Sequence, residues 1–489
     1  MLYINEESTH RICEERSFGQ GRKVEKRKRL RHLFSRPPPR CTYCPKSCSR
    51  RSKDRLPPGP LRLPLLGSVL QIPREYPWLT FSQWAKTHGR IIYADALGQP
   101  LIVINSAEVA RELLDQRSDS CGYREPFILQ QYGDNWRQQR KIVAQDFSQN
   151  SITCYHSLQE KEAKKLALGI LDDPSTLLRQ LKLRLGTIII RVTFGYYLKD
   201  ENDRFLTSPL TAMDNFSKAT AAGVWVESGN VLLPNMCSTV LEEVDRNPFH
   251  EQEDQLVWAA SAVMGAGLDS NTSTLLIFFL AMTLNPAVQA KARQEIEDVI
   301  GRDMLPTIKD KGSLPYIRSI MTEILWWHPA VPLGLPHALN KDDIYEGMHL
   351  PKGSIMIANV WYMLHDPKVF PNPDEFDPVK QWLWLRAVSP DRYKNLDSEM
   401  DKVTDLVFRF GRRVCPGKFF GEATFFAIVS TVLSTCEILQ TVDDKGSKII
   451  PIVTFSSGTI IFPSALEVDI KCWSEKACEM LSRGLADII

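Results

Sequence analysis

Near the C-terminal end of the chain, a lone cysteine lies among residues that restrict how the segment can fold. The stretch reads FRFGRRVCPGKFFGEATFFAIV, residues 408–429. Gly411 and Gly417 let the backbone pass close to a bulky group. Pro416 suits the first turn of a helix, so the sequence predicts that Cys415 is the N-cap of the apolar helix that follows.

The residues alone leave two interpretations of Cys415 open. A single cysteine beside a helix is most often a small buried hydrophobe. At a helix N-terminus, however, the free N–H groups and the helix dipole lower the pKa of a thiol, and Arg412 and Arg413 add positive charge. This pattern predicts a thiolate that binds a metal or attacks a substrate, although no histidine lies near in sequence to act as a base.

The charge of the chain is concentrated at its N-terminal end. The 489 residues carry a formal charge of +2, but residues 1–55 hold 16 Lys or Arg and 6 Asp or Glu, which is +10, and the rest carries −8. A basic segment of this kind can contact nucleic acid or an anionic membrane, or it can be a disordered arm. We favour the arm and expect no nucleic-acid partner. The sequence therefore predicts a basic, disordered tail over residues 1–55 and one folded domain over residues 56–489.

The eleven cysteines do not form an obvious framework. Their odd number and scatter in a long chain predict reduced thiols in a cytosol-facing protein. Cys41, Cys44 and Cys48 resemble a metal-ligand cluster, but a zinc site usually needs four ligands, so zinc is a minority interpretation. The first thirty residues lack the apolar region of a secretory signal. Residues 258–284 are apolar, but the polar residues 269–271 at their centre predict a helix buried in protein rather than in lipid.

The hydrophobic pattern predicts a mainly α fold with small β-sheets (α+β) in a single large domain. Residues 91–105 read as two strands around a Gly-Gln-Pro turn, and residues 449–462 read as a hairpin. Ser106 and Asp134 are predicted helix caps. Asn285 precedes another helix that stops at Gly301.

The cysteine stretch resembles the haem-binding loop of the cytochrome P450 family, F-x-x-G-x-R-x-C-x-G. The matching residues are Phe408, Gly411, Arg413, Cys415 and Gly417. The resemblance implies a cytochrome P450 fold in which Cys415 is the axial thiolate ligand of haem b (iron protoporphyrin IX). In that role the thiolate donates electron density to the iron and favours O–O cleavage. Phe408 would pack near the sulfur, and Arg413 would pair with a haem propionate.

Other segments match the family in the same order along the chain. Trp136 and Arg140 form W-x-x-x-R on one helix face, a pair that grips a propionate in the family, although by itself it also fits an ordinary amphipathic helix. His337 lies where the family has a propionate-binding His or Arg. The segment AGLDSNT is similar to the oxygen-activating helix, which implies that Asp269 and Ser270 relay protons to dioxygen. Its small residues fit close helix packing equally well.

The sequence departs from the family at a buried ion triad. Glu323 is present, but Trp326 stands where the family's E-x-x-R motif has arginine, and only Lys380 could substitute downstream. A buried carboxylate short of partners costs about 1–3 kcal/mol, so the sequence predicts that Trp326→Arg raises haem occupancy. The lid regions after Ser118 and after Trp225 also look short.

The resemblance implies a monooxygenase that inserts one oxygen atom of O₂ into a lipophilic small molecule, as fungal members do in secondary metabolism of terpenoids or polyketides. Electrons would come from NADPH through a cytochrome reductase, since no G-x-G-x-x-G is present. The family location is the cytosolic face of the endoplasmic reticulum, with membrane-surface contact; because no anchor is seen, the cytoplasm is the alternative. Two other functions stay open: an inactive relic of the same fold, and a regulatory protein that binds nucleic acid through the basic tail.

Overall fold

A computed structural model describes residues 55–117, 133–219, 251–366, 369 and 393–486 of the chain. Residues Asp54–Ile489 group into one compact unit. Almost all of the predicted tail, including Cys41, Cys44 and Cys48, lies outside the described residues. So do Lys380 and the two lid regions, and those predictions remain predictions.

Helices form most of the described chain, as the mainly α prediction requires. They are α1 (Pro77–His88), α2 (Ala107–Ala110), α3 (Asp134–Phe147), α4 (His156–Asp172), α5 (Leu177–Phe194), α6 (Arg204–Ala219), α7 (Glu251–Leu284), α8 (Pro286–Val299), α9 (Pro315–Trp327), α10 (Val360–Leu364), α11 (Tyr393–Val407), α12 (Lys418–Thr435) and α13 (Glu475–Ala486). The predicted cap at Ser106 is confirmed, because its Oγ accepts from the N–H of Val109. Pro286 opens α8, and Gly301 adopts a positive φ of 96° just after it.

The strands form three small sheets beside the helices. They are β1 (Ile91–Ala96), β2 (Gln99–Ile104), β3 (His337–Ala338), β4 (Asp343–Tyr345), β5 (Met348–Leu350), β6 (Ile355–Ala358), β7 (Cys436–Gln440) and β8 (Val468–Cys472). The largest sheet has the order β1-β2-β6-β3, in which β2 and β6 are parallel and the other pairs antiparallel. The mainly α fold with small sheets is confirmed.

Two predicted strand pairs differ in detail from the structure. The turn between β1 and β2 is Leu97–Gly98, both with positive φ as in the tight turns that suit hairpin twist, so Gln99 and Pro100 belong to β2. The predicted hairpin of residues 449–462 forms no regular strands and is reduced to a bridge between Phe455 and Pro463. Two backbone bonds flank the bridge, from the N–H of Ser456 to the carbonyl of Phe462 and from the N–H of Ser464 to the carbonyl of Thr454. A proline has no N–H to donate, which limits a regular ladder there.

Two predicted helix caps are wrong, one by a single residue and the other by two residues. Asp134 is the first residue of α3 and Gly133 precedes it. The helix after the cysteine loop begins at Lys418 with Gly417 in the capping position, so Cys415 lies before the helix rather than at its N-cap. The cause is the loop itself, which uses the N–H of Cys415 in a bond to an earlier carbonyl.

Helix α7 is the central element of the core. It packs against α3, α5, α9 and α12, and Phe278 and Phe279 in its second half are fully buried. Its part from Ala259 to Leu284 is long and apolar enough to cross a membrane, but 61% of the most apolar window is buried inside the protein. This burial is what the sequence predicted for a core helix.

The expectation of reduced thiols is wrong for one pair. Cys472 and Cys478 form a disulfide with their Cα atoms 6.1 Å apart. Cys472 ends β8 and Cys478 lies in the first turn of α13, so the short connection between strand and helix brings the two side chains together. Cys154, Cys415 and Cys436 are free thiols.

The buried imidazole of His328 makes stability depend on pH. It packs against Trp327, Trp361 and Phe455, and burial lowers its pKa to about 3. Between that value and the unfolded pKa of about 6.5, the unfolded chain binds the extra proton, so stability falls as the pH falls.

We expect the free energy of unfolding of the haem-free protein to fall by about 2 kcal/mol between pH 6.5 and pH 5 through this residue alone. Denaturant titrations at a series of pH values measure this slope. His328→Phe keeps an aromatic ring and should flatten the slope. An identical slope in the variant would show that His328 does not sense this pH range.

Candidate cofactor site

The loop that carries Cys415 is closed by backbone hydrogen bonds. The N–H of Cys415 donates to the carbonyl of Phe408 at 2.8 Å, and the N–H of Val414 donates to the carbonyl of Gly411 at 3.0 Å. Gly411 has a φ of +58°, and a Cβ there would lie 2.7 Å from the Cα of Asp115. Only glycine fits this close approach. The sequence predicted that Gly411 lets the backbone pass close to a bulky group, and in the structure that group is Asp115.

The thiol of Cys415 faces a cavity but is remote from bulk water. Its burial raises the pKa of the thiol, although the N–H of Gly417 and the nearby charges of Arg409 and Arg140 act in the opposite direction. The predicted lowering of the pKa is therefore wrong for the haem-free protein, because desolvation outweighs the helix N-terminus. Metal ligation requires the deprotonated thiol, so binding a cation there would release a proton.

Helix α3 brings Trp136 and Arg140 to the cysteine loop. Nη1 of Arg140 donates to the carbonyl of Val414 at 2.6 Å, one residue before the cysteine. The guanidinium of Arg413 lies 5.3 Å from the centre of the Trp136 ring, within the range of a cation–π contact. The structure thus joins three of the predicted propionate-binding residues on one wall of the cavity.

His337 lies next to this group without lining the cavity. It is the first residue of β3 and is buried. Burial and the charges of Arg409 and Arg413 lower its pKa to about 3. At neutral pH it is therefore uncharged, and it can serve an anion only as an N–H donor.

Helix α7 forms another wall of the cavity. Ser270 lines the cavity, and its Oγ donates to the carbonyl of Ala266 at 2.7 Å. Asp269 is buried beside it but is not among the lining residues that the structure describes. Helix α7 is continuous at Gly267. A Cβ at Gly267 would come 3.2 Å from Cδ1 of Ile189, so this glycine allows close packing against α5.

Asn271 lines the cavity but has no role in the sequence interpretation. Asn271 follows Ser270, and its Nδ2 donates to the carbonyl of Gly267 at 2.6 Å. The amide therefore adds a polar group to a largely apolar helix wall. The sequence feature that could have indicated this role is the position of Asn271 in AGLDSNT, one residue after Ser270.

The cavity suits a large, planar, anionic cofactor. The cavity volume is about 270 Å³. One side holds the thiol of Cys415 and Phe408, another the guanidinium groups of Arg140 and Arg413, and the remainder is mostly apolar. A sulfur ligand, cations for carboxylates and apolar walls are the donor set that a thiolate-ligated haem requires, so the residues fit the group that the sequence resemblance implies.

Trp326 occupies its position through ring stacking. Its Nε1 donates to the carbonyl of Leu364 at 2.7 Å, and its ring stacks on His365 with centroids 5.7 Å apart and planes 9° apart. His365 stacks in turn on Trp361 at 4.0 Å and 10°. The three rings connect α9 to the end of α10, while Glu323 is buried on α9.

Comparison with known proteins identifies the family. The family profile described as Cytochrome P450 matches residues 57–221 and 232–459. The chain is 43% identical to "Cytochrome P450 monooxygenase 105" of Postia placenta, over 89% of this chain and 92% of the relative. It is 32% identical to "Cytochrome P450 monooxygenase claR" of Ampulloclitocybe clavipes, over 88% of each.

A solved zebrafish cytochrome P450, in a structure with abiraterone, is similar with a TM-score of 0.63 at 20% identity, covering 81% of this chain and all of that one. At that identity the likeness shows the fold. The fold and the sequence match together define a cytochrome P450, and the chain belongs to that family. Within it, the chain groups with fungal members, and its enzyme class is that of the P450 monooxygenases.

The ring stack reverses the outcome expected for Trp326→Arg. The substitution removes a buried tryptophan and places a guanidinium among apolar neighbours, so we expect the free energy of unfolding to fall by about 3 kcal/mol or more and haem occupancy to fall with it. Denaturant unfolding and the haem-to-protein absorbance ratio measure the two effects. Trp326→Phe keeps a ring for stacking and is the matched control, with a loss of about 1–2 kcal/mol. A rise in haem occupancy in Trp326→Arg would instead show that Glu323 needs a guanidinium.

Proposed function

We propose that this chain is a haem-thiolate monooxygenase that inserts one oxygen atom of O₂ into a lipophilic small molecule and reduces the other to water. The observation that carries the proposal is the position of Cys415. Its thiol opens into a cavity walled by the arginines of the cysteine loop and α3 and by the Ser270 face of α7. Haem b would bind there with the sulfur of Cys415 as a ligand of its iron, and it would supply the oxygen chemistry.

The protein residues bind the cofactor and move protons. Trp136, Arg140 and Arg413 would hold the propionates, with the neutral His337 as a further N–H donor. Phe408 would pack near the sulfur, where the backbone of the loop fixes its position.

Proton delivery is assigned to α7. Ser270 carries the hydroxyl that faces the cavity, and Asp269 is the buried carboxyl next to it. Because Asp269 does not line the cavity, a proton from it would reach the cavity through Ser270. Rotation of the Ser270 hydroxyl away from the carbonyl of Ala266 would open this route.

The proposed substrate class follows from the cavity walls away from the cysteine loop. They are lined mainly by small and branched apolar side chains, namely Ala262, Val263, Ala330, Val331, Leu335 and Ile460. Such walls favour a lipophilic compound. Together with the fungal relatives, they support a role in fungal secondary metabolism, with terpenoid or polyketide compounds as candidates. Electrons would come from NADPH through a separate reductase.

The decisive test is the spectrum of the reduced protein with carbon monoxide. The full chain, supplied with haem, should show the red-shifted Soret band of a thiolate-ligated ferrous haem, and Cys415→Ala should abolish it. Cys436→Ala is the matched control, because Cys436 is a free buried thiol away from the cavity. A colourless wild-type protein, or an unchanged band in Cys415→Ala, would falsify the proposal.

Two alternatives have separate signatures. An inactive relic of the same fold, with or without haem, was suggested by Trp326 and the short lid regions, and it predicts no substrate turnover. The ring stack of Trp326, His365 and Trp361 weakens the reason for it, because the position has well-placed partners of its own. A nucleic-acid-binding regulator depends on the tail over residues 1–55, and it predicts that deleting the tail abolishes function. A monooxygenase predicts instead that the chain without the tail still binds haem.

We propose that the protein works at a membrane surface, on the cytosolic face of the endoplasmic reticulum, rather than free in the cytoplasm. Five leucines between residues 61 and 70 are exposed, and Leu65 is exposed to 95%. A tight turn between Leu63 and Gly67, closed by two backbone bonds of 2.8 Å, presents Leu65 and Leu66 at its tip. Exposed apolar groups of this kind mark membrane or protein contacts.

Vesicle flotation measures this contact. The full-length protein should float with vesicles of neutral and anionic phospholipids, and the double variant Leu65→Ser/Leu66→Ser should bind several-fold more weakly, because each buried leucine contributes about 1.5–3 kcal/mol. Val299→Ser, at the exposed end of α8, is the control. If wild type and double variant float equally, the turn is not the contact.

A further inference from the structure

Arg409 has an unusual backbone conformation at the start of the cysteine loop. Its φ is +80°, in the left-handed region that favours glycine and strains other residues. The residues of the described chain that share this feature without being glycine are Leu65, Tyr76, Leu97, Glu346 and Arg409. Of these, Arg409 alone lines the cavity. The strain therefore coincides with the proposed cofactor site.

Arg409 also holds a desolvated charge. Burial lowers the pKa of its guanidinium to about 10; Cys415 acts against this shift, and the neighbouring charge of Arg413 adds to it. The group still carries its proton at neutral pH. A buried cation is costly unless an anion or hydrogen-bond acceptors compensate it, so the haem-free protein keeps both a strained backbone and an unfavourable charge at this position.

The cavity has more positive than negative charge. Arg140, Arg409 and Arg413 all line it, whereas Glu422 is the acidic residue among the described lining residues. Oε2 of Glu422 already pairs with Nζ of Lys311 at 3.1 Å. Arg140 in turn uses Nη1 on the carbonyl of Val414, which leaves it fewer donors for a ligand. The cavity is therefore short of anions.

We propose that Arg409 is a cofactor-binding residue whose guanidinium contacts a carboxylate of the bound haem. The proposal rests on the proposed function, and it concerns a residue outside the F-x-x-G-x-R-x-C-x-G pattern. The haem-free protein has a strained backbone and a buried charge at this position. When haem binds, its carboxylate would compensate the charge. The anion is recognised by its charge and by the planar fork of the guanidinium.

The test compares haem retention with the stability of the haem-free protein. Arg409→Gly suits the backbone and removes the charge, so the haem-free variant should unfold at a denaturant concentration no lower than wild type. Haem dissociation, followed by transfer to an excess of a haem-scavenging apoprotein, should become about tenfold to a hundredfold faster, the usual value of a charge-assisted hydrogen bond. Arg409→Lys keeps the charge and should recover part of the retention.

Two further measurements separate the carboxylate contact from a general loop effect. Haem dimethyl ester lacks both carboxylates, so wild type and Arg409→Gly should lose it at the same rate. Leu97→Gly makes the same backbone change in the exposed β1–β2 turn, and its haem dissociation should match wild type.

Equal haem dissociation rates in wild type and Arg409→Gly would overturn the proposal. So would a variant whose haem-free form is destabilised as much as its haem binding is weakened. A faster loss of haem dimethyl ester from Arg409→Gly than from wild type would overturn it as well. Each result is distinct from failure of the proposed function, because wild type would still show the thiolate band with carbon monoxide. Absence of that band in the wild type would remove the functional proposal itself.

Discussion

The hydrogen bond from the N–H of Cys415 to the carbonyl of Phe408 is the constraint on which the site depends. This bond folds the loop back on itself, so that the free thiol of Cys415 faces the cavity. Two other contacts hold the loop from outside: the close approach of Gly411 to Asp115, and the bond from Arg140 on α3 to the carbonyl of Val414. Because these two outside contacts join distant parts of the chain, the position of the sulfur depends on the whole fold.

Desolvation controls the electrostatics of this region. It raises the pKa of the Cys415 thiol and lowers those of Arg409 and His337. Burial therefore disfavours the charged form of each of these three groups, although they are residues that suit a charged ligand. A cation at the sulfur and anions at the arginines relieve this conflict together, since each compensates a group that burial has made costly. The burial of these three groups therefore favours the binding of a cofactor that carries both charges.

The position of Trp326 shows that one structural task has more than one physical solution. The family pattern places a charged residue on α9, whereas this chain uses an indole N–H to the carbonyl of Leu364 and a stack of three rings. Buried ion pairs require costly desolvation, and apolar replacements of similar volume can be equally stable. The departure from the motif is thus compatible with a well-packed core around Glu323.

The sequence by itself determined the class of fold, the cysteine loop and the pairing of Trp136 with Arg140, because these depend on local periodicity and on glycine, proline and cysteine at fixed spacing. It also determined that residues 259–284 form a core helix. Only the tertiary structure decided the burial that raises the pKa of Cys415, the partners of Trp326 and the entry of Arg409 into the cavity. It likewise placed Asp269 away from the cavity and joined Cys472 to Cys478. These features depend on which distant segments meet and on how much water they exclude, and neither is encoded in the spacing of residues along one segment.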